Sequence, residues 1–208
     1  MKHMFQDTVK IFNTGEIVKN EFYVVSTPNK WSQDSFDKEI KIAHFINFYK
    51  KIYEACSNFI LPNFLDLSIP KALFQTELDL EIFRQENFLE YPSRISSLFV
   101  FSNLKDAKEY REHINLKNAN ILRVYATDPN YKITKHNMEY ITVLRVLYGS
   151  IFYEKLISED KLIEKYWLGK ADIFDYRKFN LPQGIIYPKF EYLIEGTYAT
   201  TMLLEDQN

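Results

Sequence analysis

Ser97-Leu98-Phe99-Val100-Phe101-Ser102-Asn103 decides how the chain folds. Its first five residues are almost continuously apolar, as expected of a strand covered on both faces. Ser102-Asn103 then caps a helix carrying Ala107, Tyr110 and Ile114 at helical spacing. Upstream, Phe22-Tyr23-Val24-Val25-Ser26 is a β-branched and aromatic strand closed by Pro28. Phe36, Ile40, Ala43, Ile46, Tyr49, Ile52 and Tyr53 recur at three- and four-residue steps, predicting a long helix capped by Asp34 or Ser35. Pro62 ends that region and Pro70 breaks the next. A second helix is expected from Thr76, with Thr76 and Asp79 in a capping-box-like pair, to about Leu89, before Pro92.

Downstream, Asn120-Ile121-Leu122-Arg123-Val124-Tyr125-Ala126 reads as a strand, and Asp128-Pro129-Asn130 as a turn. Helices are predicted over 138–147 and 158–167, and a polar, aromatic loop over 169–188. Two closing strands, 191–194 and 197–204, follow, joined as a hairpin through Glu195-Gly196. This order lacks the regular alternation of a doubly wound sheet and predicts an α+β fold. No linker divides the 208 residues, so one domain over 1–208 is expected, helical at about 34–90 and sheet-rich after it.

Composition excludes several classes of function. With 46% hydrophobic and 26% charged residues the chain can bury a core without staples. A net charge of −2 supplies no global field for nucleic acid or an anionic membrane. The single cysteine, Cys56, cannot form an intramolecular disulfide or a Cys-rich zinc site, and its apolar neighbours Ile52, Tyr53 and Phe59 suit an inert buried thiol. His3, His44, His113 and His136 lack metal-ligand spacing, so no metal is expected. Glycine-rich nucleotide loops and the G-x-S-x-G elbow are absent. Met1 to Asp7 contain no apolar signal core, and no run of about 18 apolar residues exists to span a bilayer. A cytoplasmic protein is expected, with no membrane partner.

Three segments together carry a resemblance. The first is Tyr91-Pro92-Ser93-Arg94-Ile95-Ser96-Ser97-Leu98-Phe99-Val100-Phe101, followed by Asn103-Leu104-Lys105-Asp106-Ala107. The second is Val124-Tyr125-Ala126-Thr127-Asp128-Pro129, then Lys132. The third is Tyr166-Trp167-x-Gly169, a loop, and Phe190-Glu191-Tyr192-Leu193-Ile194-Glu195-Gly196. Over roughly residues 75–205 the chain resembles the ADP-ribosyltransferase superfamily, through bacterial and phage proteins thought to share that fold.

The resemblance implies split antiparallel sheets flanked by helices, NAD as substrate, and Glu191 as catalytic residue at the start of a late strand. It implies that Arg94 contacts a cofactor phosphate, that Ser96 and Ser97 order the site around ribose and nicotinamide, and that Phe99 or Tyr23 stacks on nicotinamide. A loop carrying Phe174, Tyr176 and Phe179 would read a protein or nucleic acid acceptor. A toxin, effector or phage-conflict factor with an antitoxin or immunity partner fits this pattern. NAD glycohydrolysis, or non-catalytic binding of a nucleotide or protein, is the alternative. Two positions depart from the superfamily: Lys189 stands where arginine-directed relatives carry Glu, and Tyr23 where relatives often carry His or Arg.

Taken without the resemblance, the same residues have plainer roles. Glu191 suits a solvated strand edge, Arg94 a pairing with Glu86 or Glu90, Ser96 and Ser97 a turn opening a strand, and Phe99 the core. Tyr166-Trp167 suits packing of the last helix onto the sheet.

Overall fold

Two three-stranded antiparallel sheets form the middle of the protein, in a computed structural model that describes residues 6–26, 68–113, 119–127, 130–149, 158–179 and 184–202. The strands are β1 (Thr8–Lys10), β2 (Ile17–Lys19), β3 (Phe22–Ser26), β4 (Leu98–Val100), β5 (Asn120–Ala126), β6 (Lys132–Asn137), β7 (Phe174–Asp175), β8 (Ile185–Ile186), β9 (Phe190–Glu195) and β10 (Tyr198–Met202). The helices are α1 (Ser68–Asn87), α2 (Leu104–His113), α3 (Glu139–Gly149) and α4 (Glu159–Trp167), with a 3-10 turn at Tyr176–Phe179. Among the described residues the fold is therefore mixed α+β. The predicted helix over 34–53, with His44 and Cys56, lies outside the described residues, as do Asp128 and Pro129 of the predicted turn.

One sheet runs β10-β5-β3 and the other β4-β9-β6; β1-β2 and β7-β8 are two-stranded ribbons. Tyr23 and Phe101 exchange both backbone hydrogen bonds at 2.8 Å and tie the larger sheets together. Alternation along the central strand β9 separates two cores. Tyr192 and Ile194 face Val9, Phe22, Val124 and Ile133. Leu193 faces the helical side, among Leu80, Tyr140, Leu144, Tyr166 and Trp167. A central strand with both faces covered buries Glu191 as well, to 5% exposure, and not at a solvated edge.

Several expectations about elements require correction. Pro70 does not break the chain. It lies in the first turn of α1, where its missing N–H would have had no intrahelical partner. Thr76 is consequently interior to α1, its hydroxyl donating to the Ala72 carbonyl at 2.8 Å instead of capping. Strand β6 was invisible because Lys132-Ile133-Thr134-Lys135-His136-Asn137 has one aliphatic residue and reads as polar. The closing hairpin does not form: β9 pairs with β4 and β6, whereas β10 pairs with β5. Gly196, at φ 119°, lets the chain turn out of one sheet and into the other. Within the 169–188 loop, the structure adds the β7-β8 ribbon and the 3-10 turn. Asn103 does cap α2: its side-chain oxygen accepts from the Asp106 N–H at 2.8 Å, and its amide donates to the Asp106 carboxylate at 2.7 Å.

Candidate functional site

Ladder register fixes which side chains meet Glu191. His136 lies directly opposite it across β6, and Thr134 and Phe99 flank Leu193 from the two neighbouring strands. Residues at alternate positions share a face, so Thr134, His136, Phe99 and Glu191 all point toward the helices.

Arg94 reaches this face through a segment locked to α1. Glu81 is fully buried and takes the Arg84 guanidinium at 2.7 Å. Arg84 Nη1 also donates to the carbonyls of Leu89 at 3.1 Å and Tyr91 at 2.9 Å. The Ser93 hydroxyl donates to Glu81 at 2.8 Å, and its oxygen accepts from the Ile95 N–H at 3.1 Å. These contacts satisfy the backbone beyond the helix end and leave Arg94 one position after the last anchor.

Arg94 and Glu191, ninety-seven residues apart, meet directly through Nη1 and Oε1. Nη1 also donates to the Tyr166 hydroxyl at 2.6 Å, and that hydroxyl donates to Glu191 Oε1 at 2.7 Å. The other edge of the guanidinium grips Glu77, with Nε to Oε2 at 2.8 Å and Nη2 to Oε1 at 3.1 Å. Arg145 Nη2 reaches the same Glu77 oxygen at 3.2 Å. Two guanidiniums and two carboxylates thus form one chain from Arg145 to Glu191. The guanidinium carbon of Arg94 lies 4.8 Å from the Phe99 ring centroid and 5.4 Å from that of Tyr166.

The electrostatics follow from this packing. Burial opposes the Arg94 charge, but Glu191 and then Glu77 outweigh it and hold the group well above its ordinary range. Burial raises Tyr166 well above a normal phenol, so it stays protonated and acts as the donor to Glu191. Burial likewise pushes Glu77 upward, and Arg94 and Arg145 reverse this to keep it ionised. His136 is forced by burial down to about 3 and is neutral. Its Nδ1 lies 2.9 Å from the Tyr166 carbonyl, which can only accept, so Nδ1 carries the proton. Nε2 is then bare and accepts from the Thr134 hydroxyl at 2.7 Å. The imidazole stacks on the Tyr166 ring, centroids 4.4 Å apart and planes at 18°.

The structure brings Arg94, Phe99 and Glu191 together. Phe99 carries the Arg94 guanidinium. Ser97 is partly buried and its Oγ has no hydrogen-bond partner among the described residues, while Ser96 is joined to Ser93 through its backbone at 3.3 Å. Tyr23 packs with Phe101, Ala107 and Ile121 in the group that also holds Tyr110, and its hydroxyl donates to Glu21 at 2.5 Å.

Arg94 directs four of its five N–H donors at Glu191, Tyr166 and Glu77, so it orients carboxylates. One expected role requires correction. Phe174 and Tyr176 are core residues, not a free stacking surface. Phe174 packs edge-on against Tyr140, and the Tyr176 hydroxyl donates to Glu139 at 2.6 Å. Phe179 ends the 3-10 turn. Sequence reasoning missed Glu77, His136, Arg145 and Tyr166 as members of the cluster. Tyr166 reads as helix packing, which it also performs, and the spacing of β6 gives His136 no signature.

The family model described as "Protein of unknown function (DUF2441)" matches residues 6–197, and the chain belongs to that family. No curated protein matches it.

Proposed function

We propose that the chain is an NAD-dependent ADP-ribosyltransferase in which Glu191 is the catalytic carboxylate. One observation carries this: the two oxygens of Glu191 are unequal. Oε1 is fixed by Arg94 and Tyr166. Oε2 receives no donor among the described residues, so Arg94 and Tyr166 hold the group through one oxygen only. A carboxylate held through one oxygen suits a sugar donor, because orientation is fixed before the ligand arrives.

The chemistry is a substitution at the ribose carbon bearing nicotinamide. The carbon–nitrogen bond breaks, its electron pair leaves with nicotinamide and neutralises the pyridinium. The acceptor's lone pair forms the new bond and the acceptor loses a proton. Positive charge grows on the ribose in between, and an adjacent Glu191 offsets it while accepting a ribose hydroxyl hydrogen bond. The split sheets and the resemblance around Arg94 and Glu191 support this choice of reaction. A protein or nucleic acid acceptor, with an antitoxin or immunity partner, belongs to the same proposal.

The test is incubation of labelled NAD with a whole-cell lysate and either wild type or Glu191→Gln. The variant is expected to lose on the order of 10²–10³ in labelling rate while its urea midpoint shows a folded protein. Equal labelling by both proteins removes the assignment. A second reading, a non-catalytic nucleotide- or protein-binding member, is favoured by the saturation of Arg94's charge by Glu77 and Glu191. Calorimetry that finds no NAD binding, with a partner protein bound instead, selects it.

A further inference from the structure

The geometry points to Tyr166, backed by His136, as the positioning residue that holds Glu191 Oε1 and leaves Oε2 to act. This rests on the reading of Glu191 as the catalytic carboxylate. Arg94 alone cannot fix the carboxyl group, because one charge contact permits rotation about the bond to the carboxyl carbon. A second donor at the same oxygen restricts it, and the Tyr166 hydroxyl occupies that place at 2.7 Å. The hydroxyl is directional because Arg94 Nη1 approaches it at 2.6 Å with a hydrogen, so its own proton must point at Glu191.

His136 removes the remaining freedom. It shares its cross-strand position with Glu191 and lies face to face with the Tyr166 ring, so it fixes the ring plane relative to the carboxylate. Both of its nitrogens are used, one on the Tyr166 carbonyl and one on the Thr134 hydroxyl, which sets ring orientation and tautomer. The Tyr166 carbonyl, in the last turn of α4, accepts from the Gly169 N–H at 3.0 Å and from His136 as a second donor, so His136 ties the helix end as well as its side chain to β6. The Trp167 carbonyl is satisfied in parallel by Asn13 Nδ2 at 3.1 Å. Helix and sheet are thus registered at the residue that bonds Glu191, and no step passes a proton through His136.

Tyr166→Phe keeps the ring stack and removes one oxygen. Two measurements on the full chain decide the matter. Infrared difference spectra of protein with isotope-labelled glutamate, each referenced to its own Glu191→Gln counterpart, read the Glu191 carboxylate directly. Steady-state nicotinamide release reads turnover. Expected are a displaced carboxylate band in Tyr166→Phe and a fall in kcat of about 10- to 100-fold with KM for NAD within about twofold, since misplacing a reacting group penalises turnover. An unmoved band, or a rise in KM at unchanged kcat, overturns the positioning role. Wild type that releases no nicotinamide and labels no acceptor overturns the transferase reading itself and with it the catalytic purpose of Tyr166. The infrared comparison then still decides separately whether Tyr166 sets the carboxylate.

Discussion

Replacing Arg84 by Met should be among the most damaging single changes outside the hydrophobic core. Arg84 makes five hydrogen bonds, three to Glu81 and two to the carbonyls of Leu89 and Tyr91. Met fills much of the same volume, so the loss is electrostatic. Among the described residues Glu81, fully buried, would keep only the Ser93 hydroxyl and the Gln85 amide as donors. Leaving one partner of a buried ion pair uncompensated costs about 3–5 kcal/mol. With a urea slope of about 2–3 kcal/mol per M, the midpoint falls by roughly 1–2.5 M. The damage has an address: residues 88–97 lose their anchor to α1, so hydrogen exchange should rise there first, and Arg94 should loosen with them. Adding Glu81→Gln removes the stranded charge and should recover part of the loss, a coupling of about 0.5–3 kcal/mol. A midpoint drop below about 0.3 M at unchanged slope, or simple additivity in the double variant, would refute the anchoring role.

Acid should destabilise the protein through His136. Its folded pKa of about 3 lies below its unfolded value, so between about pH 3 and 6.5 the unfolded state binds the extra proton and stability rises with pH. Passing from about pH 6.5 to 5 removes up to about 2 kcal/mol from this group, readable as a smaller urea midpoint. The imidazole signals in NMR should not titrate above about pH 4; titration near 6.5 in the folded protein would contradict its burial. Gly169→Ala should cost more than Gly184→Ala. Both sit at positive φ, but a Cβ at Gly169 would meet the Lys135 carbonyl at 2.6 Å, whereas at Gly184 it would meet nothing within 4 Å among the described residues. About 1 kcal/mol is expected at Gly184 and at least twice that at Gly169, by thermal or urea unfolding; equal losses would contradict the close approach.

Local chemistry made much of the fold legible. The β-branched run at 22–26 and the whole of β5 could be bounded from sequence, and Asn103 announced its cap. What stayed hidden was decided by tertiary pairing. A Glu-Gly pair between two strands implies a hairpin, yet pairing partners are a long-range property, and Gly196 serves a change of sheet instead. Polar β6 is a strand because hydrophobic layers lie on either side of it, which no local window contains. At the candidate site, motif resemblance singled out Arg94 and Glu191 but could not distribute their hydrogen bonds. Nothing local to Arg94 points to Glu77, which lies on the preceding helix and accepts two of its donors.

The outer edge of β6 is occupied by something other than a strand. Asn13 copies a neighbouring backbone there, its amide donating to the Lys135 carbonyl at 2.8 Å and its oxygen accepting from the Lys135 N–H at 3.0 Å. The Phe12 N–H fills the Ile133 carbonyl at 2.6 Å. An incoming strand from another molecule would find these valences at Ile133 and Lys135 already spent, which blocks strand addition over the middle of β6. Along this edge a partner meets side chains broadside and cannot zip onto the main chain.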